Sequence, residues 1–268
     1  MRKRVATPYM IWMLIFIIVP LVMVVYFAFT SSSGGFTFDN IIKVKEYTGQ
    51  FLQSFKIGAI STVICLILGY PMAAIISRSR EHVQRTLVML CMIPMWMNFL
   101  LRTYSWMTLL ENNGIINNIL EYFHLPRLQM INTEGAIILG MVYNFLPFMI
   151  MPIYSVMAKI DYRLIEAAQD LGCNSFAVVR RVILPLSVPG VISGITMVFV
   201  PSASTFIISK LLGGGDMMIG DIIEAQIQGG ANNLNLGAAI SLVLMVVVLI
   251  TMAIMNIFGD TESEVSLI

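Results

Sequence analysis

Arg102 lies inside an apolar run, residues 87–110, that is long enough to cross a bilayer. At mid-bilayer such a residue costs about 2.5–3.5 kcal/mol on insertion scales, so it is a functional candidate by default. It stands eight residues before Leu110, roughly 12 Å, so snorkelling relieves it only in part. Asn98 is one turn away, and Tyr104 and Trp106 are close by. Two readings stand for Arg102. It belongs to a pathway or gate, or it bonds backbone carbonyls that a proline in a neighbouring helix leaves free. A second set is Pro201, Ser202, Ala203, Ser204, Thr205 and Phe206, small hydroxyl residues beside a proline and an aromatic ring. Such a run loosens a helix and offers carbonyls and hydroxyls to a cavity. Lys210 follows Phe206 by one turn and should share its face. Tyr143 and Asn144 form a third, weaker set. Close helix packing is the plainer reading here, and Gly190 and Gly194 are spaced for it.

None of these sets joins a nucleophile to a base, so they suggest binding and passage, and no catalytic residues are expected. Cys65 and Cys91 sit in apolar runs and Cys173 in a polar loop, without metal or disulfide spacing. His82 and His124 are isolated, and no metal site is expected. No GxxxxGK[ST] stretch cradles a phosphate. A net charge of +1 offers nucleic acid no global field.

The elements that position these residues are membrane spans. Of 268 residues, 58% are hydrophobic and only 12% charged, where a soluble domain carries about a quarter. Mean hydropathy is +0.85. Spans are expected at residues 9–29, 57–76 (interrupted at Gly69-Tyr70-Pro71), 87–110, 135–158, 188–212 and 237–258: six helices in an all-α integral membrane protein. The first follows the basic MRKR start. It is read as a retained span, being longer than a signal-peptide core and lacking a convincing cleavage site. Residues 31–35 read as a turn, 43–50 as a polar segment with a possible surface helix, and 111–134 as a loop with a short amphipathic helix. Residues 213–235 read as a last loop. The chain divides into 1–56, a first helix and external segment; 57–258, the core; and 259–268, a short tail.

With the N-terminus inside, inner segments hold Arg2, Lys3, Arg4, Arg78, Arg80, Arg85, Lys159, Arg163, Arg180 and Arg181. Outer segments hold only Lys43, Lys45, Lys56, Arg127 and Lys210. This twofold bias places both termini and loop 161–185 in the cytoplasm.

That loop is a polar island between two spans. Asp161 can cap a helix over 162–171, with Leu164, Ala168 and Leu171 on one face. Gly172 supplies a left-handed stop. Asn174 or Ser175 caps a second helix carrying Phe176, Val179 and Ile183, which the Leu184–Pro185 step should end. A helix–turn–helix of this kind suits docking on something soluble; an interfacial helix without a partner is the bland alternative.

The stretch EAAQDLGCNSFAVVRRVILP resembles the EAA loop of ABC importer permeases: Glu166-Ala167-Ala168, then Gly172, then Leu184-Pro185, with Val182 where isoleucine is preferred. Its place between the fourth and fifth spans also fits. The resemblance implies a type I ABC importer permease bundle with a cytoplasmic coupling helix over 161–185. Glu166, Ala167, Ala168, Asp170 and Gly172 would dock the ATPase, with Leu184 and Pro185 fixing the loop to the fifth span. LGYPMA at 68–73, IPMWMNFLLRTYSW at 93–106, LPFMIMPIYS at 146–155 and KLLGGG at 210–215 are most similar to the PotB-type subunit of spermidine/putrescine importers. In that subunit the region from Ser202 to Lys210 lines the cavity and its outer gate.

The resemblance further implies a bacterial cytoplasmic membrane, a cytoplasmic ATPase homodimer that binds ATP and Mg, a second, PotC-type permease, and an external substrate-binding protein. No cofactor is expected in this chain. A polyamine route should show carboxylates or aromatic faces, yet no Asp or Glu lies inside any expected span. Arg102 and Lys210 are cationic, and some PotB-type chains carry an acid where Lys210 stands. The external loops are favourable: Asp39, Glu46, Glu111, Glu121, Glu134, Asp216, Asp221 and Glu224 outnumber the five bases. An anion importer, for sulfate or thiosulfate, stays open, as does a stand-alone secondary transporter.

Overall fold

The computed structural model describes residues 7–31, 34–215, 218–229 and 233–265. Arg2, Lys3 and Arg4 of the basic start, Ser32 and Ser33 of the first turn, Asp216 of the last loop and the end of the tail lie outside them.

α1 comprises Thr7–Met13, a π-helical turn Leu14–Ile18 and Val19–Ala28. It is apolar on every side and packs on the last helix, α13 (Leu234–Val265), through Ala28 and its neighbours. α2 (Asp39–Lys43) and a 3₁₀ turn (Val44–Tyr47) run directly into α3 (Thr48–Arg78). The surface segment and second span are thus one helical run of 40 residues, Asp39–Arg78. The expected interruption at Gly69-Tyr70-Pro71 does not occur. Pro71 faces outward, while buried Gly69 faces α7 (Glu134–Met157) so closely that a Cβ would lie 3.0 Å from Met149 Cγ. Packing on one side holds the helix through the proline on the other.

The third span is not continuous. α4 (Glu81–Trp96) stops and α5 (Phe99–Leu110) starts afresh, the segments Glu81–Trp96 and Phe99–Tyr122 meeting at 86°. Met97 and Asn98 are extended, with ψ of 146° and 129°, and Asn98 Oδ1 accepts from the Leu100 and Leu101 amides. Asn98 is a helix cap, and its side chain points at backbone rather than sharing a face with Arg102. α6 (Ile115–Tyr122) is the short helix expected in the following loop.

α7 is the axis of the fold. Of its most apolar window 56% is buried, against 0% for α1, because α3 and α10 (Leu184–Ser204) flank it. A Cβ at Gly190 would lie 2.9 Å from Pro152 O, and one at Gly194 2.8 Å from Met149 Sδ. The glycine pair therefore sets the α7–α10 approach. Ile57, Met141, Met149, Ile153 and Val198 fill this core.

α8 (Tyr162–Asp170) and α9 (Ser175–Val178) form the polar loop. The helix does not end at Leu184–Pro185. A π-helical turn, Val179–Ile183, joins α9 to α10, and the Leu184 amide reaches back to Val179 O. The wider turn shifts the hydrogen-bond register just before Pro185, which lacks an N–H and is well tolerated in a first helical turn.

The fifth span also breaks early. α10 ends at Ser204, Thr205 and Phe206 bridge the gap, and α11 (Ile207–Leu212) follows. Beyond it, residues expected as loop form α12 (Ile219–Ile227), whose Ile219, Gly220 and Asp221 are buried against α13, α3, α10 and α11. The tail continues α13 as helix to Val265. Among the described residues, five helices have the length and hydropathy to cross a membrane, six if the bent pair counts as one. Apart from one isolated bridge, Thr30 with Phe36, the described residues contain no β pairing.

Candidate functional site

The loop between α7 and α10 is built by local capping. Asp161 accepts from the Arg163 amide at 3.0 Å and starts α8. At the other end Gly172 has φ +83°, its amide reaching Gln169 O at 2.8 Å while the Cys173 amide reaches Ala168 O at 3.0 Å. Those paired bonds satisfy carbonyls the helix would leave open. Asn174 Oδ1 then accepts from the Ala177 amide at 2.8 Å, so Asn174, not Ser175, caps α9.

Ile165, Ala168 and Cys173 seat the loop on the core. The stripe of Leu164 and Leu171 does not: they are 49% and 86% exposed, and Phe176 is 73% exposed. Glu166, Ala167, Asp170, Gly172, Leu184 and Pro185 are exposed too. Between α8 and the ends of α3 and α7 lies a cavity of roughly 400 Å³, lined in part by Ser77, Arg78, Met157, Tyr162 and Gln169. The loop thus stands off the bundle, presenting apolar and acidic groups on its free side.

Arg102 is buried, and Nη1 donates to Pro94 O at 2.6 Å. The same carbonyl also accepts from the Met97 amide at 3.3 Å, where α4 ends. The guanidinium also lies 5.9 Å from the Phe99 ring and 5.7 Å from Tyr143, and Tyr143 meets Trp106 edge-on at 5.4 Å. Arg102, Trp106 and Tyr143 therefore come together and close the corner between α4 and α5 against α7. Tyr104 is exposed and lies outside this cluster. Asn144 is buried, its Nδ2 donating to Gly140 O at 2.7 Å, while its Oδ1 has no partner among the described residues.

The outer break gathers another set. Ser202 is fully buried and its hydroxyl has no partner among the described residues. Ser204 donates back to Val200 O. A Cβ at Gly220 would lie 2.6 Å from Thr205 O, so α12 presses its backbone against the break. Ser204, Phe206, Glu224, Ile227 and Gln228 line a pocket of roughly 150 Å³ there. The Lys210 amide donates to Phe206 O at 2.9 Å, and its Nζ lies 2.9 and 2.8 Å from the two Glu224 oxygens. The hydrogen bond to Glu224 raises the Lys210 pKa. Beneath it, Ser209 Oγ donates to Asp221 Oδ1 at 2.8 Å, and the Met218 amide to Oδ2.

Sequence reasoning treated Asp221 and Glu224 only as external charges. Ile219, Ile222, Ile223 and Ile227 carried a helical period that marks α12, with Asp221 placed as its first-turn acid.

The sequence that builds these spans and the loop between them matches a known family. Residues 67–260 match the model of the binding-protein-dependent transport system inner membrane component. The chain belongs to this family. It is 35% identical over 246 residues to the spermidine/putrescine transport system permease protein PotB of Haemophilus influenzae, covering 88% of this chain and 86% of that one. The Escherichia coli protein of the same description is 33% identical over 247 residues, covering 88% and 90%. A bacterial ABC transporter chain involved in import of the acidic polysaccharide alginate has the same fold, with TM-score 0.73 at 18% identity and coverage of 97% and 94%. The permease is thus an inner membrane transport component rather than an enzyme.

Proposed function

We propose that this permease forms one half of the membrane pathway of an ATP-driven polyamine importer. The observation that carries the reading is the likeness to spermidine/putrescine permeases along 88% of the chain. The outer break supports it. Lys210, which argued against a cation route, is neutralised by Glu224, and Phe206 adds an aromatic face beside that carboxylate. Arg102 is engaged by Pro94 O and two rings. Lys210 is thus paired, while Arg102, whose Nε has no partner among the described residues, is the one cation that still speaks for the sulfate or thiosulfate reading.

The exposed side of loop 161–185 would dock a cytoplasmic ATPase homodimer holding ATP and Mg, with Glu166, Ala167, Asp170 and Gly172 at the contact. A single bundle cannot enclose a two-sided cavity, so a second, PotC-type permease completes it, and an external binding protein delivers the substrate. Both termini are cytoplasmic, as the distribution of basic residues indicates. ATP-driven closure of the ATPases would draw the loops together and rock the spans around α7. Ser202, Ser204, Thr205, Phe206 and Lys210 would then form the outer gate. The test is uptake of labelled spermidine and putrescine by cells that lack their own polyamine importers and express the whole transporter. Uptake that an excess of unlabelled polyamine suppresses and sulfate does not is expected; uptake suppressed by sulfate alone would contradict the substrate assignment.

A further inference from the structure

A groove of roughly 450 Å³ runs between the α2–α3 junction and α13, at the end of the molecule away from loop 161–185. Phe51 and Phe55 form one wall and Val243 and Val247 the other, each pair one turn apart. This lining is almost wholly apolar, and a groove of that kind in a membrane protein sits empty only if lipid cannot reach it. Lys45 stands at its rim, exposed, with no ion pair among the described residues.

The depth of the groove follows from neighbouring contacts. Phe29 stacks with Phe36 at 5.9 Å and Phe36 meets Phe38 edge-on at 5.1 Å, forming an aromatic cluster where α1 ends. Phe36 and Phe38 are 74% and 58% exposed. Asn40 Nδ2 donates to Ala28 O and Thr30 O, which ties α2 to that same level. Lys45 follows on the next turn, so its ammonium stands at headgroup height. From Thr48 to Phe55 the wall drops roughly 10 Å into the hydrocarbon.

We infer that this groove binds an anionic phospholipid, its phosphate on Lys45 and the upper part of one acyl chain between the phenylalanines and valines. A helix of a neighbouring subunit would cover the apolar walls and leave the exposed Lys45 to water. A phospholipid supplies both parts in one molecule. The inference concerns lipid alone and stands whatever substrate the permease carries.

The test uses the whole transporter in nanodiscs holding equal parts of phosphatidylglycerol and phosphatidylcholine. Retained lipid is counted by native mass spectrometry after transfer to detergent. The native protein should keep phosphatidylglycerol in preference to phosphatidylcholine. Lys45→Gln should lower that retention about fivefold, one lysine's attraction to an anionic surface. Val247→Trp, which fills the groove, should lower it as well, while Lys43→Gln, off the groove, leaves it unchanged. A photo-crosslinker at Thr48 should label lipid. Equal retention of both lipids, no loss with Lys45→Gln, or a cross-link to another subunit would each overturn the inference.

Discussion

Arg102 shows how local groups can hold a charge inside an apolar stretch. Its guanidinium spends one bond on Pro94 O and lies over two rings, so it holds a corner of the chain shut. Arg102→Met removes a charge-assisted bond and should cost about 2 kcal/mol of stability. It should lower the melting temperature of the purified permease while leaving the substrate concentration for half-maximal uptake unchanged. A large shift in that concentration with normal melting would instead place Arg102 on the pathway. Lys210 is the opposite case: exposed and paired, it lies beside a pocket that opens on the outer break. Asn98, expected beside Arg102, serves the backbone as a cap.

Elements differ in how openly they are written in the sequence. Loop 161–185 is legible because its instructions are local: Asp161 and Asn174 cap, Gly172 stops, and each acts on amides within three residues. At Gly172 a Cβ would meet nothing within 4 Å, so substitution there is penalised only through its φ of +83°. Gly172→Val should therefore reduce substrate-stimulated ATP hydrolysis by the complex more than Gly172→Asn, since asparagine tolerates the left-handed region and β-branched residues do not. Equal loss in both variants would point to the glycine surface itself being needed at the docking contact.

Breaks in the spans were harder to read. A hydropathy window stays apolar across Met97 and Asn98, and across Thr205 and Phe206, because the flanking residues outweigh the few polar ones while the backbone turns. Prolines misled in both directions. Pro71 and Pro185 lie in uninterrupted helix, one supported by packing at Gly69 and the other by a π-helical turn, whereas the break after Pro94 depends on Asn98 starting a new helix. α12 was missed because residues 213–235 open with three glycines and were read as loop throughout. The α7–α10 contact offers a further check. Gly190→Ala drives a Cβ toward the Pro152 carbonyl, which is backbone, while Gly194→Ala meets the flexible Met149 Sδ. Overpacking costs about 1–3 kcal/mol, and thermal melting should show the Gly190 variant as the less stable of the two.

At the scale of the molecule, one core on α7, α3 and α10 carries two different ends. One end holds the loop over a cavity, presenting Leu171, Phe176 and acidic groups outward. The other closes with α11 and α12, where Glu224 meets Lys210 and Asp221 meets Ser209. α10 is continuous with the loop through the π-helical turn and ends at the outer break, so a push on the loop is delivered along one helix to Ser204 and Phe206. In the proposed mechanism, that continuity would couple ATP hydrolysis on one side to a gate on the other. The most direct test is ATP hydrolysis by the reconstituted transporter with its binding protein, adding spermidine, putrescine, sulfate, thiosulfate and a sugar one at a time. Stimulation by a polyamine, abolished when the loop carries Gly172→Asp, is the predicted result. Stimulation by sulfate or thiosulfate and not by polyamines, or full stimulation in the Gly172→Asp transporter, would contradict it.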